Sequence, residues 1–188
     1  LEEIADSLLV SIDDIDRTIY VNYITIDSRD LPEDSLFIAI KGDNFDGHDF
    51  VLDSLNKDAV AAVVNREWFN LLPNRDEFDK PLLVVDDTVH AYGEIAGYYR
   101  RKMAKPLFAV TGSNGKTTTK ELLAAALESK GSVHKTYKNY NNFIGVPKTL
   151  LSQKSSNWCS VVEMGMNAEG EIRRLTEICV PDVGLITN

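Results

Sequence analysis

One stretch in the second half of the chain restricts the fold more than any other. The apolar residues 107–110 are followed directly by Thr-Gly-Ser-Asn-Gly-Lys-Thr-Thr-Thr at positions 111–119. The two glycines allow a tight turn in which consecutive N–H groups point at one position, and a helix that begins there adds a partial positive charge. The stretch therefore predicts a strand, a phosphate-binding loop and a helix, in that order.

The segment after residue 106 alternates strand and helix patterns. The predicted strands cover residues 107–110, 132–136, 158–162 and 183–186, and the predicted helices cover residues 115–130, 146–151 and 168–179. Strands separated by helices of this length form right-handed βαβ units, so they predict a mostly parallel sheet. The fold class predicted for this segment is α/β.

The segment before residue 106 is predicted to form a separate, small α/β domain. Its predicted helices cover residues 1–9, 50–57 and 88–102, and its predicted strands cover residues 17–26, 36–40, 59–64 and 82–85. Lys105-Pro106 then interrupts the pattern, because the residue before a proline is disfavoured in a helix. We therefore predict two domains, at residues 1–103 and 106–188.

The acidic composition argues against one class of partner. The chain has 20 Lys and Arg against 29 Asp and Glu, a formal net charge of −9, whereas binding to a nucleic-acid backbone needs clustered basic residues. No apolar run approaches the roughly 20 residues of a membrane span. Residues 1–4 lack the order of a secretory signal, and the two cysteines and three histidines lack zinc or disulfide spacing. These features predict a cytoplasmic protein without a nucleic-acid partner or membrane insertion.

Residues 111–119 predict nucleotide binding. Lys116 would reach the β- and γ-phosphate oxygens, and the Thr117 hydroxyl would ligate Mg²⁺. The strict G-x-x-x-x-G-K-[ST] pattern has glycine where this chain has Val110, so the match is to the shorter form TGxxGKTT. The alternative is a glycine-rich loop with a solvated lysine. The predicted nucleotide-binding residues are Thr111, Gly112, Ser113, Asn114, Gly115, Lys116, Thr117 and Thr118.

A second acidic ligand is predicted at the end of the strand at 158–162. Glu163 follows this apolar run directly, which is where a P-loop protein carries a carboxylate that helps to hold magnesium. The alternative is a solvated or helix-capping glutamate. On the first interpretation Thr117 and Glu163 hold the metal, and Lys116 and Glu163 are the catalytic residues.

Four stretches carry a family resemblance. They are residues 27–29 with 36–50, residues 110–120, residues 138–147 and residues 162–172. Together they resemble the Mur ligase family, ATP-dependent amide-forming enzymes of bacterial peptidoglycan precursor synthesis. The paired asparagines before Ile-Gly-Val-Pro and the Glu-Met-Gly-Met-Asn sequence at 163–167 are most similar to the members that add D-alanyl-D-alanine to UDP-N-acetylmuramoyl-tripeptide.

The resemblance implies a role for each half of the chain. Residues 1–103 would bind the UDP part of the muramoyl peptide, and residues 106–188 would form the first half of the central ATPase domain. The implied substrate-binding residues are Ser28, Arg29, Lys41, Asn44 and His48, with Asn141 and Asn142 on the substrate side of the phosphate site. The alternative is that these residues only form turns and surface charge, and that one of the two asparagines belongs to a turn.

The resemblance also implies a reaction, with ATP and Mg²⁺ as cofactors. The γ-phosphate would pass to the terminal carboxylate of the tripeptide and give an acyl phosphate. The amine of D-alanyl-D-alanine would then attack, and phosphate would leave through a tetrahedral intermediate. Further family residues would lie beyond Asn188, so the chain is expected to be an N-terminal portion that is inactive alone, from a monomeric enzyme. Three alternatives remain: another Mur-type ligase that adds a different amino acid, a P-loop module that binds or hydrolyses nucleotide without ligation, and a non-catalytic UDP-sugar-binding partner.

Overall fold

Two parallel sheets organise the chain, one in each half. The computed structural model describes residues 1–10, 18–74 and 78–188. The strands are Tyr23–Thr25 (β1), Ser35–Ile38 (β2), Ala59–Asn65 (β3), Leu82–Val85 (β4), Leu107–Gly112 (β5), Val133–Lys135 (β6), Cys159–Glu163 (β7) and Val183–Thr187 (β8). The helices are Glu2–Leu8 (α1), Val51–Asn56 (α2), Arg66–Asn70 (α3), Thr88–Met103 (α4), Lys116–Leu127 (α5), Gly145–Leu151 (α6) and Glu171–Cys179 (α7), with a short 3-10 helix at Gly47–Phe50.

The chain divides into two compact units, Leu1–Tyr92 and Gly93–Asn188. All strand pairs between the elements named above are parallel. The predicted α/β class with a mostly parallel sheet is therefore confirmed. The division between the units falls within α4, whereas the domain boundary predicted at 103–106 follows the end of that helix, and that boundary stays a prediction.

The first unit contains a four-stranded sheet in the order β1-β2-β3-β4. The run of small and β-branched residues in β3 suits a strand that is covered on both faces, and five of its seven residues are buried. One core cluster joins β2 and β3 with α2 and includes Phe37, Val51, Leu55 and Val64. This core leaves the C-terminal ends of the four strands at one edge of the sheet.

The second unit contains a sheet in the order β6-β7-β5-β8. Successive residues of β5 point to opposite faces: Leu107 and Ala109 join one core cluster, with α6 and α7, while Val110 joins another, with Ala124 of α5. Helices thus cover both faces of the central strands, as a parallel sheet requires. The arrangement brings the loop after β5 and the end of β7 to the same edge of the sheet.

The C-terminal part of α4 belongs to the second unit. Ala96 lies in the core cluster that includes Leu107 and Leu175. The buried guanidinium of Arg100 donates from Nε to the carbonyl oxygen of Cys179 over 3.0 Å, and also contacts the carboxylate of Asp182 at 3.0 Å. These contacts fasten α4 to the turn between α7 and β8.

The first unit differs from the prediction at one strand and at one α-helix. The strand predicted at 17–26 is observed only at Tyr23–Thr25, because its partner β2 begins at Ser35, directly opposite Tyr23; residue 17 lies outside the described residues. Helix α3 was not predicted. It begins after Asn65, whose side-chain oxygen accepts hydrogen bonds from two backbone N–H groups of its first turn, the usual N-cap arrangement.

Candidate functional site

The loop between β5 and α5 has the backbone shape of a phosphate-binding loop. Gly112 and Gly115 adopt φ angles of 138° and 78°, which L-residues with side chains rarely adopt. A Cβ atom on Gly112 would also collide with Thr187. The Thr187 hydroxyl in turn donates to the carbonyl oxygen of Asn114 over 2.6 Å, so the end of β8 supports the loop from one side.

Lys116 lies at the first position of α5 and folds back over the loop. Its Nζ donates to the carbonyl oxygen of Gly112 over 2.7 Å and approaches that of Ser113 at 3.4 Å. The ammonium therefore lies over the concave side of the loop, at the N-terminus of a twelve-residue helix. The positive charge and the helix terminus act together there, which favours an anion such as phosphate.

Glu163 is buried at the C-terminal end of β7, with 1% of its surface exposed. Its Oε2 accepts a hydrogen bond from the Thr117 hydroxyl over 2.9 Å, and its Oε1 accepts one from Nδ2 of Asn141 over 2.8 Å. Its backbone N–H donates to the Thr136 hydroxyl over 2.9 Å. Three predicted site residues from separate elements thus meet at one carboxylate.

The two predicted asparagines have different contacts. Asn141 reaches Glu163 with its side chain, and its carbonyl oxygen accepts from the N–H of Gly165 over 2.8 Å. Asn142 instead accepts the N–H of Gly145 over 2.9 Å at the start of α6. Its side-chain oxygen serves a turn, as the alternative interpretation allowed for one of the pair, and its contact with substrate stays a prediction.

Sequence reasoning missed one residue of the site, Lys120. Its ammonium is buried, with 1% exposed, and its Nζ lies 3.8 Å from Oε2 of Glu163. Its spacing in the sequence could have indicated this position. Lys120 is one helical turn after Lys116 and one turn before the buried Ala124, so the three residues lie on the same side of α5. A lysine in that position points into the protein.

The oxygens of Thr117 and Glu163 suit a hard divalent cation. A hydroxyl and a carboxylate oxygen already lie 2.9 Å apart beside the phosphate-binding loop, and such oxygens are the ligands that Mg²⁺ prefers. Among the described residues, no group of three or more His, Cys, Asp and Glu side chains could hold a metal ion by itself. The donors described for a cation here are thus the Thr117 hydroxyl and the Glu163 carboxylate, beside the phosphate-binding loop.

The substrate residues predicted in the first unit follow β1 and β2, at the C-terminal edge of its sheet. Ser28 and Arg29 come after β1, and Lys41 and Asn44 come after β2. Arg29 is exposed and forms two 2.8 Å hydrogen bonds to the carboxylate of Asp27, which raise the pKa of Arg29. In parallel sheets this edge is the usual place for ligands.

His48 occupies a different environment from these neighbours, because it is buried. Its Nδ1 lies 2.6 Å from Asp46, and its Nε2 accepts the backbone N–H of Asn65 over 3.0 Å. Its ring also lies on Trp68, with 5.1 Å between the ring centroids. Both ring nitrogens are engaged within the protein, so His48 fixes the loop after β2 onto β3.

Asp46 shows the electrostatic effect of this contact. Partial burial acts to raise the pKa of Asp46, but hydrogen bonds from the backbone and ring of His48 outweigh it and hold that pKa below its usual value. The hydrogen bonds between His48 and Asp46 also fix the turn from Lys41 to Asp46, whose two end residues form an antiparallel β-bridge. The loop with Lys41 and Asn44 is thus anchored at its C-terminal end.

Across the described residues, every helix is too short or too polar to cross a bilayer.

Comparison with protein families places both halves of the chain in one family. A profile of the Mur ligase middle domain matches residues 110–188, and a profile described as the Mur ligase family, catalytic domain, matches residues 20–100. The two matched segments contain all four stretches on which the family resemblance was based. The family resemblance is confirmed.

Two curated relatives with the same name match most of this chain. The chain is 44% identical over 183 residues to a UDP-N-acetylmuramoyl-tripeptide–D-alanyl-D-alanine ligase of Synechocystis sp., a match that covers 97% of this chain and 39% of the relative. It is 41% identical over 168 residues to the Bacillus subtilis protein of that name, covering 89% and 36%. The chain therefore spans about two fifths of the length of these relatives.

Solved structures agree with both comparisons. The fold matches MurF from Acinetobacter baumannii with a TM-score of 0.85 and 33% identity, over 98% of this chain and 40% of that one. It also matches the MurF ligase from Thermotoga maritima in complex with ADP, with a TM-score of 0.77 and 32% identity, over 91% of this chain and 38% of that one. On the evidence of both profiles, the relatives and the fold, the chain belongs to the Mur ligase family.

Proposed function

We propose that this chain forms the substrate-binding and nucleotide-binding parts of an ATP-dependent ligase that adds D-alanyl-D-alanine to UDP-N-acetylmuramoyl-tripeptide. The observation that carries the proposal is the meeting of Thr117 and Asn141 at the buried carboxylate of Glu163, beside the phosphate-binding loop. The name of the curated relatives supports the choice of substrates. In this proposal residues 1–103 bind the UDP-linked peptide and residues 106–188 bind ATP.

The nucleotide lies with its phosphates over residues 111–118. Lys116 contacts the β- and γ-phosphate oxygens, for which it exchanges its present contacts with two loop carbonyls. The exposed first turn of α5 supplies backbone N–H groups. A relative in complex with ADP supports a nucleotide at this kind of site.

Thr117 and Glu163 are the residues that hold Mg²⁺ in this proposal. A bound magnesium ion offsets negative charge on the phosphate oxygens. The Glu163 carboxylate is held in place for that role by Asn141 on one oxygen and by Thr117 on the other. The chain's own contribution to phosphoryl transfer is then positioning and electrostatic stabilisation, with Lys116 facing the transferred group.

The tripeptide carboxylate takes the γ-phosphoryl group from ATP, which leaves ADP. The amine of the dipeptide then attacks the acyl carbon, so that an amide bond forms as the bond to the phosphate oxygen breaks, and phosphate and a proton are released. Asn141 donates to Oε1 of Glu163, whereas Thr117 of α5 donates to Oε2, and in this proposal Asn141 lies on the substrate side of the phosphate site. Ser28, Arg29, Lys41 and Asn44 line the edge of the first sheet and bind the uridine diphosphate part. His48 contributes indirectly, because it anchors the loop that carries Lys41 and Asn44.

The proposal is tested by phosphate release from ATP in the full-length protein. We expect release to require both UDP-N-acetylmuramoyl-tripeptide and D-alanyl-D-alanine, and to stop when Mg²⁺ is chelated. A single amino acid in place of the dipeptide should give no release. Release driven by a single amino acid would indicate another Mur-type ligase, and release that needs neither substrate would indicate a nucleotide-hydrolysing module. Either result would contradict the proposal. The predicted cytoplasmic location and monomeric state stay predictions.

A further inference from the structure

Lys120 is a buried cation to which the proposed function gives no role. Its Nζ donates to the carbonyl oxygen of Thr136 over 2.9 Å and approaches that of Lys138 at 3.4 Å. It also lies 3.1 Å from the Glu121 carboxylate and 3.8 Å from that of Glu163. Burying an ammonium is unfavourable unless its donors are paired, so its partners are specific.

The two carboxylates near Lys120 differ in exposure. The Glu121 side chain is 48% exposed and also contacts Lys135, whereas Glu163 is 2% exposed in its side chain. Hydrogen bonds from Lys135 and Lys120 lower the pKa of Glu121. Water screens the outer carboxylate, so the buried carboxylate of Glu163 is the one whose charge depends more on Lys120.

The other contacts of Glu163 come from neutral groups. Thr117 and Asn141 donate hydrogen bonds to its two oxygens, and neither brings a positive charge. A buried carboxylate that has only neutral donors is costly. Removing the charged partner of a buried carboxylate is strongly destabilising, because it leaves a buried charge without compensation. Lys120 is therefore the positively charged group that lies beside the Glu163 carboxylate, 3.8 Å from its Oε2.

Lys120 also holds the segment that carries Asn141. The carbonyls of Thr136 and Lys138 both face its ammonium, and Lys138 adopts a positive φ of 49°. Such a conformation is costly for a residue other than glycine and persists only where the surroundings hold it. Asn141 follows three residues later and donates to Glu163, so Lys120 acts on that carboxylate directly and through this segment.

We propose that Lys120 is a positioning residue of the phosphate site, which holds Glu163 and Asn141 in the arrangement that receives a magnesium-bound nucleotide. This inference rests on the proposed nucleotide-binding function. Lys120 contacts neither phosphate nor metal in the proposal. Its effect is therefore on metal-dependent binding, whereas the loop at 111–118 binds phosphate in either condition.

The test compares ADP affinity in the full chain with excess Mg²⁺ and with a chelator, by calorimetric titration. Lys120→Gln and Lys120→Met should each lower the affinity in Mg²⁺ at least tenfold and change the affinity in chelator less than twofold. Lys120→Arg should restore most of the loss, because it keeps the charge. Lys130→Met removes an exposed lysine just beyond α5 and should bind as the unaltered chain does.

Thermal unfolding of every variant separates positioning from folding. If Lys120→Gln and Lys120→Met both lack a cooperative unfolding transition while Lys130→Met keeps one, Lys120 is needed for folding and the inference is wrong. Equal losses with and without Mg²⁺, or no loss, also overturn it. An unaltered chain that binds no ADP overturns the proposed function and this inference with it. If the unaltered chain and Lys120→Gln bind ADP equally well in Mg²⁺, the inference about Lys120 is wrong and the proposed nucleotide-binding function is unaffected.

Discussion

The hydroxyl of Thr117 donates to Oε2 of Glu163 over 2.9 Å, so the first turn of α5 and the last residue of β7 meet in one hydrogen bond. The two residues are 46 positions apart in the sequence, and the parallel pairing of β5 with β7 brings them together. A hydroxyl that donates to a carboxylate can instead present its oxygen to a cation. The contact thus joins the phosphate-binding loop side of α5 to the end of β7.

Glu163→Gln should weaken metal-dependent nucleotide binding selectively. The glutamine keeps the size of the side chain and loses the charge that a hard cation prefers. We expect the ADP affinity of the full chain to fall about tenfold or more in Mg²⁺ and to change little in chelator. Glu128→Gln, at an exposed position after α5, should change neither value. Equal weakening in both conditions would contradict the metal role of Glu163.

Lys116→Ala should abolish most phosphoryl transfer. Its ammonium lies over the phosphate-binding loop, and single electrostatic groups of this kind typically contribute roughly 10²–10³ in rate. The measurement is substrate-dependent phosphate release by the full-length protein, with folding checked by circular dichroism. Lys154→Ala, an exposed lysine of the same unit, serves as the control. Near-normal turnover of Lys116→Ala would remove the proposed role.

Gly145→Ala should destabilise the second unit, for a steric reason. Gly145 begins α6, and a Cβ atom there would collide with the backbone of Tyr140. Such overpacking typically costs about 1–3 kcal/mol. At Gly184 in β8, by contrast, an added Cβ would meet nothing within 4 Å. Urea unfolding should show a lower midpoint for Gly145→Ala and a nearly unchanged one for Gly184→Ala, and equal midpoints would show that the Tyr140 turn yields.

His134 should make the stability of the chain depend on pH. Burial lowers the pKa of His134, against a smaller opposing effect of its 2.7 Å hydrogen bond to the carbonyl oxygen of Thr149. Below the unfolded pKa of about 6.5, the unfolded chain binds a proton that the folded chain binds less readily. The free energy of unfolding should therefore fall as the pH falls from 7 towards 5.

Replacing His134 tests this assignment through the slope of stability against pH. His134→Gln should reduce the slope between pH 7 and 5, measured by urea unfolding at each pH. His90→Gln removes an exposed histidine and should leave the slope as it is. A slope that stays the same in His134→Gln would assign the pH dependence to other groups.

Arg100→Met should lower stability through lost hydrogen bonds. Its guanidinium donates to the carbonyl oxygens of Cys179 and Val180 and contacts Asp182. Methionine fills similar space and leaves the buried carbonyl oxygen of Cys179 unpaired, which costs about 1–3 kcal/mol. Arg101→Met, on the exposed side of the same helix, should change the unfolding free energy by less than about 0.5 kcal/mol. Equal effects of the two would contradict the fastening role.

The sequence predicted the second unit better than the first, for a physical reason. Three of its four strands are mainly apolar runs that alternate with helices, and each of the four predictions agrees with an observed strand to within two residues at either end. In the first unit the extent of β1 depends on where β2 begins, opposite Tyr23. Local pattern carries no information about the length of a partner strand.

The candidate site was predictable where a motif is contiguous. Lys116 and Thr117 follow from the loop pattern, and Glu163 follows from the end of an apolar strand. The burial of His48 and the contacts of Lys120 depend on tertiary neighbours, Asn65 for the first and Thr136 for the second. A charged or titratable side chain looks alike in sequence whether it is solvated or buried.

The parallel pairing of both sheets has a consequence for the order of folding during synthesis. The first sheet is complete when β4 ends at Val85, whereas β5 gains its last neighbour only when β8 ends at Thr187. Phe108 and Val183, which pair in the second sheet, are 75 residues apart. At a synthesis rate of about 5–20 residues per second, β4 is therefore synthesised about 5–20 seconds before β8. The N-terminal unit therefore folds while β5 still has an open edge.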